Sequence, residues 1–170
     1  SINFATFSFD QQQPVPLSAL GSSHVIIDEN NSDIFSVKTK NTQFTYTKKI
    51  ESINKANSLA VITVNKTTIA MGPLFSQKFQ GTTANKSIIY KDVYQSTDLI
   101  YTNYTDHIKE EIVLRSSNSP RNFSFFLTLP SNVNLTMNSS GGIIGDKEQQ
   151  NLFYIHPLVA TDRNGTSYSF

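Results

Sequence analysis

The sequence contains no cysteine and no tryptophan, and only 16% of its 170 residues are charged, against about 25% in an average soluble domain. Without cysteine there is no disulfide framework, no thiolate nucleophile and no thiolate metal site. Small secreted eukaryotic domains commonly rely on disulfides, so an exported chain of this kind is expected to be prokaryotic. Fourteen Lys and Arg against thirteen Asp and Glu leave a net charge of +1. The basic residues stand singly or in pairs such as Lys48–Lys49, which gives no cationic footprint for nucleic acid. No apolar run reaches the eighteen or more residues of a membrane helix, so no membrane span is expected. Numbering opens at Ser1 without an initiator Met or a basic-then-apolar leader, and the expectation for an exported chain is a processed form. Helical periodicity is missing as well, since no window of eleven residues keeps apolar side chains at i, i+3, i+4 and i+7.

What is present is β-forming. Twelve Phe and seven Tyr accompany 21 Ser, 17 Thr and 16 Asn, and β-branched and aromatic residues favour a pleated, half-buried surface. Strand candidates recur every eight to twelve residues: 24–28, 34–39, 42–48, 58–64, 66–71, 74–80, 87–91, 97–103, 107–115, 122–129, 133–137, 152–156 and 166–170. Turn-forming stretches such as "DENNSD", "MGP", "SSNSPR", "SSGG" and "DRNG" separate them, with a tight hairpin expected around Asn65 and Lys66. The fold class this implies is all-β, an antiparallel β-sandwich of Ig-like or jelly-roll-like type. "DQQQPVP" at 10–16 is the one break in composition and reads as a semi-extended tether. The chain accordingly divides into residues 1–16, a strand and linker, and residues 17–170, the sandwich domain.

Eight Asn-X-Ser/Thr sequons occur, at Asn30, Asn65, Asn85, Asn103, Asn122, Asn134, Asn138 and Asn164. Composition alone would give roughly four, so the excess is about twofold and N-linked glycans are expected partners. In "NFSFFLTL", Phe123, Phe125, Leu127 and Leu129 alternate with Asn122 and Ser124, so a sugar on Asn122 would point away from the core. N-glycosylation with few charges suits an archaeal surface. Few charges also suit an acidic medium, where carboxylates are protonated and solvate less.

Residues 90–115, "YKDVYQSTDLIYTNYTDHIKEEIVLR", carry a Tyr-x-x-Val-Tyr-x-x-x-Asp-Leu-x-Tyr core at Tyr90, Val93, Tyr94, Asp98, Leu99 and Tyr101, followed by "IKEEIVL". "FSFFLTL", "SGGIIGD" and "IHPLVATDRNG" continue the pattern. Residues 90–165 thereby resemble a β-rich module of large prokaryotic extracellular proteins, which implies a surface-exposed module without catalytic residues. Read from the residues alone, Ile108, Glu110, Ile112 and Leu114 share one face of a strand, and the charges of "HIKEE" suit an edge strand that discourages stray pairing. His107 and Glu111 share the other face, but the segment lacks the second His of a zincin. "DENNSD" and "DRNG" hold oxygen donors in Asx-turn patterns without an EF-hand spacing. No nucleophile elbow or phosphate loop occurs, so no catalytic residue, metal or cofactor is assigned and no enzyme is expected.

The opening stretch "SINFATFSF" places Ile2, Phe4, Phe7 and Phe9 in a strand ahead of the tether. Such a strand either pairs within its own domain or completes the sheet of a neighbouring copy by β-augmentation, which repeats into an open filament. Ile2 and Phe4 fall on one face and Phe7 and Phe9 on the other, so insertion requires a bulge near Ala5–Thr6 or burial of both faces. By architecture this is similar to the thread- and pilus-like polymers of archaea linked by donor strands. The functional expectation is a secreted cell-surface glycoprotein that polymerises with copies of itself. The alternative is an adhesin or carbohydrate-binding module, which a solvent-facing row of tyrosines such as Tyr101 and Tyr104 would favour.

Overall fold

A computed structural model describes residues 2–8, 25–38, 42–51, 58–64, 66–105, 107–138, 141–146 and 151–169. These residues form strands and turns and no helix. In chain order the strands are β1 (Ile2–Ser8), β2 (Ile27–Asp28), β3 (Ile34–Lys38), β4 (Thr42–Thr47), β5 (Lys49–Ile50) and β6 (Ala60–Val64). Next come β7 (Thr67–Pro73), β8 (Phe79–Ala84), β9 (Ser87–Tyr94), β10 (Thr97–Asn103), β11 (His107–Leu114) and β12 (Phe125–Thr128). The chain continues with β13 (Val133–Asn138), β14 (Gly141–Asp146), β15 (Asn151–Ile155), β16 (Val159–Thr161) and β17 (Ser167–Ser169).

Two antiparallel sheets share one core. The larger runs β13-β14-β15-β1-β11-β10-β9-β8-β5, with β16 pairing β1 and β17; the smaller runs β12-β7-β6-β4-β3-β2. Strict alternation drives this layering. In β4, Thr42, Phe44 and Tyr46 are buried while Gln43 is exposed, and in β11 Ile108, Glu110 and Ile112 are buried between less buried neighbours. Phe35, Val37, Phe44, Ile62 and Ile69 from the smaller sheet meet Ile88, Tyr90, Leu99, Tyr101 and Phe153 from the larger in a single apolar cluster. Tyr46 and Tyr101 bridge the sheets with ring centroids 5.2 Å apart. Gly81 stands opposite Tyr90, and a Cβ there would lie 2.5 Å from that ring and 2.9 Å from the Phe35 ring.

The expected hairpin around Lys66 is present, joining β6 to β7, with Lys66 at φ 71°. The strand expected at 74–80 is displaced. Pro73 closes β7, and residues 74–78 form a loop tied by Leu74 N–H to the Ser124 carbonyl and Gln77 N–H to the Val93 carbonyl. The strand itself starts at Phe79.

Candidate functional site

β1 comes first in the sequence, yet it lies inside the larger sheet and is paired along both edges. On one side Ile2, Asn3, Ala5, Thr6, Phe7 and Ser8 stand opposite Ile112, Glu111, Glu110, Lys109, Ile108 and His107 of β11. On the other side Phe7 and Ser8 face Ile155 and Tyr154 of β15, while Ile2 and Asn3 face Ala160 and Val159 of β16. No other described strand joins β11 to β15 or β16. Withdrawing β1 would therefore strand the backbone N–H and C=O groups of both flanks.

The required irregularity is present one step earlier than the sequence suggests, between Asn3 and Ala5. It brings Ile2 and Phe7, five residues apart, opposite the buried Ile112 and Ile108, which are four apart. A β-bulge performs this correction by setting two residues of one strand against one of its neighbour. Phe4 falls within the shift. Phe9, the tether at 10–16 and His24 lie outside the described residues.

Beside β1, the inward row of β11 consists of Ile108, Glu110 and Ile112. Glu110 is 2% exposed. Tyr101, opposite it on β10, donates its hydroxyl to Glu110 Oε1 at 2.8 Å. Among the described residues no ion pair reaches Glu110. Burial pushes its carboxyl pKa up to about 7, with the Tyr101 hydrogen bond pulling weakly the other way. The polar thread continues through Tyr46, whose hydroxyl donates to Asn103 Oδ1 at 2.6 Å, and Asn103 Nδ2, which donates to the Lys86 carbonyl at 3.1 Å. β11 is thus an interior strand, and the reading of "HIKEE" as edge protection is corrected: Glu110 points into the core, and Glu111 is held by Lys109 at 2.9 Å.

At the Ser8 end of β1, Lys86 Nζ sits 3.5 Å over the Tyr104 ring, and Tyr104 stacks on His107 at 4.1 Å. Tyr101 is buried, so Tyr101 and Tyr104 form no solvent-facing row. His156 meets Tyr154 edge-on at 4.7 Å, and burial followed by the neighbouring His107 lowers its pKa.

The oxygen-rich loops have internal occupants. In "DENNSD", Asp28 Oδ1 accepts the Asn30 N–H, Asn31 Oδ1 accepts those of Asp33 and Ile34, and Lys48 Nζ donates to the Glu29 and Asn31 carbonyls. In "DRNG", Asp162 Oδ1 accepts the N–H groups of Asn164 and Thr166. Of the sequon asparagines, Asn30, Asn85, Asn122, Asn134, Asn138 and Asn164 are exposed and Asn65 lies outside the described residues. Asn103 is fully buried, with its amide engaged as above.

No family model, characterised protein or solved structure matches the chain.

Proposed function

We propose that the chain is the subunit of an extracellular filament on a cell surface, built on a β-sandwich and linked by its first strand. In the assembly, β1 of one copy fills the slot between β11 and the β15/β16 flank of the next. The observation that carries this reading is the double-edged pairing of a first strand inside a sheet, with the sixteen residues 9–24 between it and Val25. Sixteen residues of extended chain span on the order of 50 Å, enough to hand β1 to a neighbour. The same ladder serves either way, so exchange costs no hydrogen bonds once the slot is refilled. Sugars on the exposed sequon asparagines would solvate the outside, and Asn103 would stay unmodified.

Light scattering and negative-stain microscopy of the full chain and of a chain lacking residues 1–12 test the proposal. Filaments from the full chain that vanish on truncation, leaving an aggregating or unfolded subunit, are the expected result. A full-length chain that remains a stable monomer at high concentration would overturn it.

A further inference from the structure

Among the described residues the larger sheet ends at β13, and the strand itself carries none of the usual guards. The twenty-four residues from Asn122 to Gly145 contain no Asp, Glu, Lys, Arg or His. The β13–β14 register is continuous from Val133–Asp146 to Asn138–Gly141, without a bulge or proline. Exposed edges are normally blunted by charges, prolines or bulges, because an open ladder is a template for another strand. Here Leu135 is 39% and Met137 63% exposed. Both lie over Gly142, where an added Cβ would sit 2.7 Å from Met137 Sδ and 3.2 Å from Leu135 Cδ1.

We propose that β13 is a self-complementary edge through which two copies of this chain pair antiparallel about Thr136. In that register Thr136 faces its own copy, Leu135 faces the second copy's Met137, and Asn134 faces its Asn138. A two-fold axis normal to the sheet keeps the apolar pair on one face and the asparagine pair on the other, giving an isologous interface. The neighbouring register about Leu135 would set Met137 against Val133, which is already buried in its own core, and is therefore disfavoured. Opposed residues in an antiparallel pair bring Cβ atoms to about 5 Å, so sugars on Asn134 and its opposing Asn138 would collide. Occupancy of these two sequons therefore decides whether copies join side by side, which is a contact separate from the β1 slot. This control rests on the sequons being glycosylated; the pairing itself does not.

The chain has no cysteine, so introduced thiols report the contact cleanly. In unglycosylated full-length protein under mild oxidation, Thr136→Cys should form a disulfide-linked dimer. Leu135→Cys alone should not, and the double variant Leu135→Cys/Met137→Cys should. Equal cross-linking of the two single variants, or none at Thr136→Cys, would overturn the pairing. In glycosylated protein the dimer of the Leu135→Cys/Met137→Cys variant, which keeps Thr136 and both sequons, should disappear, and its persistence with sugar mass confirmed at both sites would overturn the control. Absence of sugar mass at both sites would instead refute the sequon reading and leave the pairing result standing.

Discussion

Replacing Glu110 with Gln tests the buried acid beside β1. The carboxyl has an ordinary pKa of 4.5 and is held at about 7 in the folded chain. The folded state therefore keeps a proton that the unfolded state releases between these values. Stability from this group is full below about pH 4.5, falls as pH rises through the window, and is flat above about pH 7. A displacement of about 2.5 units at roughly 1.4 kcal/mol each amounts to about 3 kcal/mol. His156, with a lowered pKa, works in the opposite direction as pH falls below its ordinary value, so the wild-type curve alone is a composite. Glutamine is near in shape, always neutral and still offers Tyr101 a carbonyl acceptor, so the difference between the two proteins isolates Glu110. Denaturant unfolding at pH 4 should place wild type and Glu110→Gln close together. At pH 8 the variant should be ahead by about 3 kcal/mol, or about 6–12 °C in Tm for a chain of this size. Parallel stability curves from pH 4 to pH 8 would refute the assignment. An acid-favoured fold agrees with a sequence poor in charge.

Three further outcomes follow from the packing. Gly81→Ala forces a Cβ into the Tyr90 and Phe35 rings and should cost about 1–3 kcal/mol by overpacking, read from denaturant midpoints. Tyr46→Phe leaves the buried Asn103 Oδ1 without its hydroxyl donor and should cost about 1–3 kcal/mol, with the far-ultraviolet spectrum unchanged. Millimolar calcium should leave Tm unmoved, because Lys48 already bonds the Glu29 and Asn31 carbonyls in the "DENNSD" loop; a rise of several degrees would show that the loop releases its lysine for a metal.

The all-β class and most strand positions are legible because alternation is strong. The buried Phe44 and Tyr46 of β4, and Ile108 and Ile112 of β11, declare their face by spacing alone. Glu110 lies on that same face by spacing, which marks it as buried, whereas its charge by itself marks an edge. What spacing does not show is which strands are neighbours, because the β1–β11 pairing joins residues about a hundred positions apart. β14 reads as a turn because of its glycines. Gly141, at φ 125°, is required there because a Cβ would meet the Ile155 carbonyl oxygen at 2.1 Å, a close approach that composition cannot reveal. At 74–78 the apolar Leu74 and Phe75 imitate a strand, yet Phe75 is exposed at φ 57° in a loop. The irregularity in β1 was inferable from the changed parity of its aromatic residues, and only its position shifted by about one residue.

The most direct measurement is a cross-link across the β1–β11 ladder. Ser8 and His107 stand opposite each other, and a chain carrying Ser8→Cys and His107→Cys has no other thiol. Strands exchanged between copies would give, after oxidation of the assembled protein, a ladder of covalent oligomers on a denaturing gel that collapses on reduction. A disulfide formed only within each chain, with a single monomer band, would contradict the filament account and return β1 to its own sheet.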